Sequence, residues 1–390
     1  MFSAGERPPI VRFDAGPWTC ENRATRRTMK ASEMRDLQPA TTLRHLYNPE
    51  AAPHRFQAAD AASAREWQQR TRDALARLIG LEAIPSASTA APAAAAARMV
   101  ERVDKGDYLR EKMLIRTSPT SLMPTYILLP KKGPGPFPVV LAFHGHGYGV
   151  KDIVGLWEDG SERDTPEGYH KDFAVALCRR GFAVAAPEIS CFGERRTDFS
   201  YLDTVMGQPV PTTCTHSAML AFHLGISVVG LRVHDGMRLV DYLQEREDLD
   251  VSRLGAMGIS GGGMHTLFST CLDTRIRACV VSGYFSTFRD SILAMSHCAC
   301  NFVPGLAAFG EMHDLTGMIA PRPMLVEAGT HDPIFPIKAV RSGVARARRV
   351  YSVFGARNLP ETDYFEGRHQ ISGKKAGDFL MRTLPGAPGL

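Results

Sequence analysis

A short apolar run, a turn of small residues and a helix-like stretch follow one another between Leu254 and Phe268. The turn has the sequence Gly-Ile-Ser-Gly-Gly at 258–262. Glycines two positions before and two positions after Ser260 remove the Cβ atoms that would collide where a strand and a helix cross at a sharp turn. Such a turn directs the Ser260 hydroxyl out of a sheet and leaves the amide of Gly261 free to donate to an anion. The chain is thereby restricted to folds in which a strand leads directly into a helix.

Further apolar runs alternate with helical stretches on either side of this turn. The run at 139–143 is apolar throughout, as expected of a strand that is buried on both faces. Helical stretches are predicted at 173–180 and over the long region 218–246. Strands that alternate with helices predict an α/β fold with a mostly parallel central sheet and helices on both faces. The predicted strands are 113–117, 124–130, 139–143, 182–186, 254–257, 276–281 and 323–327, with a further short strand at 350–354.

A serine hydroxyl is a poor nucleophile at neutral pH, so it needs an adjacent base, and the base needs an acid that orients it. Asp332 lies on a turn directly after the predicted strand at 323–327, and His369 lies in a glycine-containing loop further along the chain. The order serine, acid, histidine, each at the carboxyl end of a strand, suits a catalytic triad. We therefore predict that Ser260, Asp332 and His369 form one.

The segment after the strand at 139–143 predicts the anion-binding part of the same site. It has the sequence His-Gly-His-Gly at 144–147. A loop of this kind can offer a backbone N–H to a developing oxyanion, opposite the N–H of the residue after the nucleophile. We predict the amides of His146 and Gly261 as the two donors of an oxyanion hole.

Other residues compete for the acid and base roles, but their positions are less suitable. Neither alternative acid directly follows a predicted strand end. Of the alternative bases, His331 adjoins Asp332 and is expected to support it, whereas His265 is expected to pack on the helix after Ser260. Three more histidines fall on or beside the helical region 218–246. The alternatives are Asp290, Asp314, His313, His331, His265, His216, His223 and His234.

Four further residues are candidates for contact with a substrate. Trp157 lies in a long segment that is predicted as a rim or lid, and Arg195 follows a strand end, although a solvated surface arginine is the alternative there. The candidates are His144, Trp157, Arg195 and His297. The cluster His-Cys-Ala-Cys at 297–300 has no second Cys/His pair at zinc spacing, so we expect no metal. No organic cofactor is expected either.

The composition narrows the class of protein. The chain has 390 residues and a net charge of only +5 with scattered arginines, and it has no nucleic-acid motif, so no nucleic-acid partner is expected. It has no apolar run of 18 residues and lacks the apolar core of a secretory signal near Met1, which predicts a cytoplasmic protein without a membrane partner. Eight dispersed cysteines are expected to be reduced and buried. Whether the chain forms a homo-oligomer stays open.

The N-terminal part has a different pattern from the rest of the chain. Residues 1–55 show little periodicity and are expected to form an arm, whereas 56–81 has the spacing of an amphipathic helix. An alanine-rich stretch at 87–97 is interpreted as a loop. We therefore predict an N-terminal arm with a helical extension over 1–107 and a catalytic domain over 108–390. The predicted buried face of the helix comprises Ala64, Trp67, Thr71, Leu75 and Leu78.

Taken as a set, these segments resemble the α/β-hydrolase superfamily, and within it the acetyl xylan esterase-like and dienelactone hydrolase-like group. The resemblance covers residues 56–385 and implies an α/β-hydrolase fold and a serine hydrolase of carboxylic esters, with the triad predicted above. The dienelactone hydrolases use a cysteine nucleophile, whereas this chain has Ser260, which favours ordinary ester cleavage. The segments that carry the resemblance are 144–147, 192–195, 230–263, 286–290, 301–306 and 320–323.

The predicted reaction is therefore cleavage of a small ester of short acyl length through an acyl-enzyme intermediate, with acetylated sugars among the candidate substrates. Two alternatives stay open. The same triad could cleave an amide or peptide bond, or the domain could be catalytically silent and serve as a binding protein. A complete triad argues against the second alternative, because a silent domain has no chemical need for all three residues.

Overall fold

The computed structural model describes residues 30–86, 96–200 and 212–384. The first 29 residues of the predicted arm and most of the alanine-rich stretch at 87–97 lie outside these ranges. The chain divides into two compact units, Met1–Asn48 and Pro49–Leu390. In the first unit, two short helices follow each other, α1 (Ala31–Asp36) and α2 (Pro39–Leu46).

A nine-stranded sheet forms the centre of the second unit, in the order β1-β2-β3-β5-β4-β6-β7-β8-β9. The first three strands pair antiparallel, as does β3 with β5, and the remaining neighbours are parallel. The strands are β1 (Ala97–Asp104), β2 (Tyr108–Ser118), β3 (Ser121–Pro130), β4 (Phe137–Phe143), β5 (Ala183–Pro187), β6 (Leu249–Ile259), β7 (Ala278–Ser282), β8 (Met324–Gly329) and β9 (Glu361–Phe365).

Both faces of this sheet are covered by helices. Neighbouring residues of its central strands accordingly face different clusters of buried side chains. Cys279 and Val281 of β7 pack in one cluster with Trp67, whereas Val280 packs in another with Phe379. The predicted α/β fold with a mostly parallel sheet is thus confirmed. The helices of this unit are α3 (Ala61–Leu78), α4 (Phe173–Arg179), α5 (Thr213–His223), α6 (Val228–Gln244), α7 (Gly261–Leu272), α8 (Leu306–Phe309), α9 (Met312–Leu315), α10 (Ile337–Ser352) and α11 (Ala376–Thr383).

Helix α3 confirms the amphipathic pattern predicted for 56–81. It begins after Asp60, whose carboxylate accepts a hydrogen bond of 2.8 Å from the amide of Ser63 and so caps the helix. Of the predicted face, four residues are buried and Leu78 is half-buried; the buried ones are Ala64, Trp67, Thr71 and Leu75. The indole of Trp67 contacts the edge of the Phe56 ring, with 5.0 Å between the ring centroids.

Two predicted elements differ from the structure. The expected strand at 350–354 is wrong: Val350 and Tyr351 complete the buried face of α10, whose apolar residues recur every three or four positions. The expected helical region 218–246 is two helices, because Gly225 adopts a left-handed φ of 71° after α5 and Ser227 caps the start of α6.

The sheet also begins earlier than the predicted boundary at residue 107, since β1 pairs along β2. The division into 1–107 and 108–390 stays a prediction as a statement about domains. Within the described residues, no single helix is long and apolar enough to cross a bilayer, although the bent pair α5 and α6 reaches that length and composition together.

Candidate active site

Ser260 lies on a strained turn between β6 and α7. Its φ of 58° and ψ of −120° are in a region that a residue with a Cβ rarely adopts. Close packing around the turn accounts for the glycines that flank the serine. A Cβ on Gly262 would overlap the carbonyl oxygen of Phe143 at the end of β4, and one on Gly258 would overlap the carbonyl of Gly262. The turn is held by a 3.0 Å hydrogen bond that the Ser260 amide donates to Ser282 on β7.

Asp332 and His369, which the sequence predicts as the acid and the base of the triad, lie within hydrogen-bonding distance of each other. The Nδ1 atom of His369 lies 2.7 Å from Oδ2 of Asp332. The other carboxylate oxygen accepts hydrogen bonds from the amides of Ile334 (2.8 Å) and Phe335 (3.2 Å). The Asp332 side chain is only 1% exposed, whereas that of His369 is 15% exposed. Of these two side chains, only the imidazole is therefore accessible to a ligand.

Ser260 and His369 line the same cavity, which has a volume of about 310 Å³. The His369 ring lies nearly parallel to the rings of Phe335 and Tyr169, with centroid separations of 5.8 and 5.6 Å. The cavity combines apolar walls with a few polar groups. Its lining residues are His146, Tyr169, Ser260, Met295, Ser296, His297, Cys298, Asn301, Ile334, Phe335 and His369. A larger groove of about 450 Å³ beside α3 is lined by no serine or cysteine among the described residues, and the Thr71 side chain in its lining is buried.

The loop at 144–147 is fixed beside Ser260 by the segment before α4. The amide of Gly145 donates a 2.8 Å hydrogen bond to Nε2 of His170, whose Nδ1 lies 2.8 Å from the Asp152 carboxylate. The Tyr169 hydroxyl donates to the carbonyl of His146. Burial lowers the pKa of His170, and it raises the pKa of Tyr169, so both groups stay neutral near pH 7.

The two predicted oxyanion donors lie next to each other at this loop. A Cβ on Gly261 would sit 3.3 Å from Nδ1 of His146, and His146 lines the cavity with Ser260. Gly261 is the first residue of α7, where an amide has no carbonyl partner within its own helix. The structure therefore brings together all five residues of the predicted triad and oxyanion hole: Ser260, Asp332, His369, His146 and Gly261.

Three of the four predicted substrate contacts lie elsewhere. The His144 side chain is fully buried, with Nε2 2.9 Å from the Glu188 carboxylate, so it cannot touch a ligand in the cavity. Arg195 forms an ion pair of 2.7 Å with Asp235 and does not line the cavity. Trp157 is 39% exposed and stacks on the Arg163 guanidinium away from the cavity lining.

His297, the fourth, does line the cavity. Its Nε2 atom is buried and has no hydrogen-bond partner among the described residues. Burial lowers the pKa of this imidazole, which favours its neutral form. A neutral ring with a free nitrogen can donate to or accept from a bound ligand.

Three of the alternative acids and bases are engaged in other contacts. Asp290 pairs with Arg289, while Asp314 caps the start of α9 and accepts from the amide of Phe56. His265 is fully buried and stacks on Phe143 at a centroid distance of 3.7 Å, as predicted for a packed residue. These contacts leave Asp332 and His369 as the pair at the cavity.

Sequence reasoning missed two features of the site. Tyr169 lines the cavity at the end of the segment predicted as a rim, in which the sequence predicts only Trp157 as a substrate contact. The fold also adds Cys214 and His146 to the Cys298–Cys300 cluster, so four possible metal ligands lie within 4.8 Å of one another. Spacing along the chain could not show this cluster, because its members come from three distant segments. The seven described cysteines are all free, and six of them are buried.

Comparison with known proteins places this geometry in context. The model of the Abhydrolase family matches residues 27–342. A Bacillus subtilis protein named "Putative hydrolase YtaP" is 28% identical over 262 residues, which are 65% of this chain and 80% of that protein.

Solved structures with the same fold are more distant in sequence. A Bacteroides fragilis protein described as "a putative acetyl xylan esterase" superposes with a TM-score of 0.66 at 16% identity, covering 90% of this chain and 89% of that one. A glucuronoyl esterase from Solibacter usitatus superposes with a TM-score of 0.58 at 17% identity, covering 84% of this chain and 94% of that one.

Proposed function

This chain belongs to the Abhydrolase family, and on that premise we propose that it is a serine esterase that cleaves short-acyl carboxylic esters through an acyl-enzyme intermediate. One observation carries the proposal. A serine on a strained strand-to-helix turn shares a cavity with a histidine that a buried carboxylate orients. A nucleophile, a base and an acid in this relation are the chemical requirement for acyl transfer.

The proposed mechanism follows from which atom of each residue is free. The Nδ1–H of His369 donates to Asp332, so Nε2 is left as the acceptor for the Ser260 proton while the hydroxyl oxygen attacks the ester carbonyl. The amides of His146 and Gly261 donate to the oxyanion of the tetrahedral intermediate. His369 then protonates the leaving alcohol, and water repeats the sequence on the acyl-enzyme to release the acid.

The cavity favours a small substrate. Its volume of about 310 Å³ is near the lower end of the range for small-molecule sites, which is roughly 300–1,000 Å³. Met295, Ile334 and Phe335 provide an apolar wall for a short acyl chain. On the polar side, His297 and Asn301 can bind hydroxyl groups of the alcohol. The structural neighbours are described as "a putative acetyl xylan esterase" and a glucuronoyl esterase. Acetylated sugars are therefore the first esters of natural alcohols to test.

A chain-length series tests the substrate class. We expect hydrolysis of p-nitrophenyl acetate and butyrate, with kcat/KM falling towards the octanoate because the longer chain exceeds the cavity. p-Nitroanilides with the same acyl groups measure amide cleavage through the release of p-nitroaniline. Amides turned over faster than esters would replace the esterase proposal by an amidase. No turnover of either series, with no labelling of the protein by a fluorophosphonate, would indicate a silent domain.

A further inference from the structure

We propose that Cys214, Cys298, Cys300 and His146 bind one Zn²⁺ ion directly behind the loop at 144–147, here called the oxyanion loop. The four residues come from α5, from the segment around the 3₁₀ helix Ala299–Asn301, and from the loop after β4. Three thiolates and one imidazole are a donor set that Zn²⁺ takes in structural sites. The site lies outside the predicted triad, and its occupancy does not depend on the proposed esterase activity.

The distances between the candidate ligand atoms are close to those of a tetrahedron. With Zn–S bonds of about 2.3 Å and Zn–N bonds of about 2.0 Å, ligand atoms at tetrahedral corners lie roughly 3.5–3.8 Å apart. The Sγ atoms of Cys298 and Cys300 are 3.3 Å apart, and Sγ of Cys300 is 3.7 Å from Nε2 of His146. All four atoms, including Sγ of Cys214, lie within 4.8 Å of one another. Small side-chain rotations therefore suffice to close the ligand shell.

The charge of Arg232 is the second observation that points to a metal. This guanidinium is fully buried, and among the described residues it makes one hydrogen bond, from Nη2 to the carbonyl of Ser190 (3.1 Å). Within the described ranges its Nε and Nη1 atoms have no hydrogen-bond partner, and it forms no ion pair with a carboxylate there. A buried cation without a counter-charge is costly. Zn²⁺ with three thiolates and a neutral imidazole carries one negative charge, which balances Arg232.

The candidate ligands lie beside Arg232, whose guanidinium also faces the Phe192 ring, with 5.5 Å between its Cζ atom and the ring centroid. The sulfur atoms of Cys300, Cys214 and Cys298 lie close enough to its guanidinium to interact with it electrostatically. Cys191 completes the set: its backbone has a left-handed φ of 80°, and its thiol hydrogen-bonds to that of Cys214. Metal-bound ligands are commonly held by such outer hydrogen bonds. Cys191 is therefore placed to orient Cys214 without binding the metal.

A disulfide accounts for the cluster less well. Joining Cys298 to Cys300 would use two of the three thiols and leave Cys214 and His146 without a role. It would also convert the sulfur atoms into a neutral group, so Arg232 would keep an unbalanced buried charge. Zinc binding uses all four ligands and provides the negative charge.

The metal would position the oxyanion loop. The His146 imidazole would be fixed by the ion on one side, while the Tyr169 hydroxyl holds the carbonyl of the same residue on the other. The amide that we propose as an oxyanion donor thereby acquires a defined place next to Gly261. His146 would serve as a ligand through its ring and as a donor through its backbone.

Metal analysis of the purified full-length protein tests this site. After purification without chelators, inductively coupled plasma mass spectrometry should find one zinc per chain. The metal should be lost in Cys214→Ala and Cys298→Ala but kept in Cys178→Ala, a buried thiol of α4 outside the cluster. Cys191→Ala should bind the metal about 10–100-fold more weakly. Ser260→Ala should keep one zinc per chain, which separates this site from the proposed activity.

Cobalt substitution gives a readout that does not depend on the folding of any variant. Wild-type protein stripped with a chelator and reconstituted with Co²⁺ should show thiolate-to-cobalt charge transfer and the visible bands of a tetrahedral ion. The proposal would be overturned if the wild-type protein is purified without zinc and shows none of these bands after reconstitution with Co²⁺. A Cys298–Cys300 disulfide found by mass spectrometry under non-reducing conditions would also overturn it. Equal loss of metal from Cys178→Ala and Cys214→Ala would also contradict it.

Discussion

At the scale of single residues, the two oxygens of Asp332 have separate tasks. Oδ1 accepts from the amides of Ile334 and Phe335 and so fixes the carboxylate on its turn, whereas Oδ2 faces Nδ1 of His369. The backbone bonds set the direction of the second oxygen, and the second oxygen sets the tautomer of the imidazole. This division makes the role of Asp332 testable by a change that preserves its shape.

The substitution Asp332→Asn should leave the fold intact and reduce kcat for ester hydrolysis by about 10⁴-fold. Asparagine can keep the two backbone hydrogen bonds through its oxygen, but its amide then presents N–H to Nδ1 of His369. The imidazole proton would move to Nε2, which could no longer accept the proton of Ser260. Steady-state kinetics with p-nitrophenyl acetate measure the effect, and Asp290→Asn serves as the control with nearly unchanged kcat. A fall of less than tenfold would contradict the assignment of Asp332.

Glu327, near the carboxyl end of strand β8, predicts a pH dependence of stability. Burial raises the pKa of its carboxyl from 4.5 to about 7, and the nearby Asp363 acts in the same direction. Between these two pH values the folded chain holds the proton and the unfolded chain has lost it. Unfolding then releases a proton, so stability falls as the pH rises through this window and levels off above about 7.

The substitution Glu327→Gln should remove this slope. The wild type should lose up to about 3 kcal/mol of unfolding free energy from this group between about pH 4.5 and about pH 7. Urea unfolding at about pH 5 and about pH 8 measures the difference. Glu361→Gln, on the neighbouring strand β9 and partly exposed, is the matched control and should keep the slope. Identical slopes for Glu327→Gln and the wild type would show that Glu327 is not the group responsible.

At the scale of secondary-structure elements, the crossing of β4, β6 and α7 determines where Ser260 lies. Gly258 and Gly262 let the helix approach the strands so closely that a Cβ at either position would meet backbone atoms. Backbone atoms cannot rotate away as a flexible side chain can. The glycine pattern visible in the sequence is therefore a requirement of packing between elements as well as of the turn itself.

The substitution Gly262→Ala should lower the free energy of unfolding by about 1–3 kcal/mol, the usual cost of overpacking. The reason is that the added methyl group overlaps the Phe143 carbonyl. Gly310→Ala is a suitable control. Gly310 has an extended backbone, and a Cβ there would meet its neighbours at 3.5 Å or more. Urea titrations of both variants compare the two positions. Equal stability of the two variants would contradict the close crossing.

At the scale of the whole molecule, the sequence predicts most of the sheet and the central residues of the site, for a physical reason. Apolar runs such as 139–143 have to be buried on both faces, and catalytic residues follow the ends of such strands, so local pattern and position coincide. The same reasoning fails at 350–354, where a short apolar run continues the face of a helix. A run of five residues cannot distinguish the two periodicities.

Contacts between distant segments could not be predicted from one sequence. The burial of His144 against Glu188 and the pairing of Arg195 with Asp235 depend on how loops fold back on the sheet. The approach of Cys214 to Cys300 depends on the position of α5, which no spacing reveals. Residues at strand ends were thus predictable, whereas the partners that support them were not.

The most direct test of the account is to identify the residue that reacts with a fluorophosphonate, by intact mass and peptide mapping. We predict a single adduct on Ser260 in the wild type and in Ser296→Ala, which changes another serine of the same cavity, and no adduct in Ser260→Ala. The label should appear in parallel with the loss of ester hydrolysis. An adduct on another residue, or full ester hydrolysis by Ser260→Ala, would contradict the proposal that Ser260 is the nucleophile.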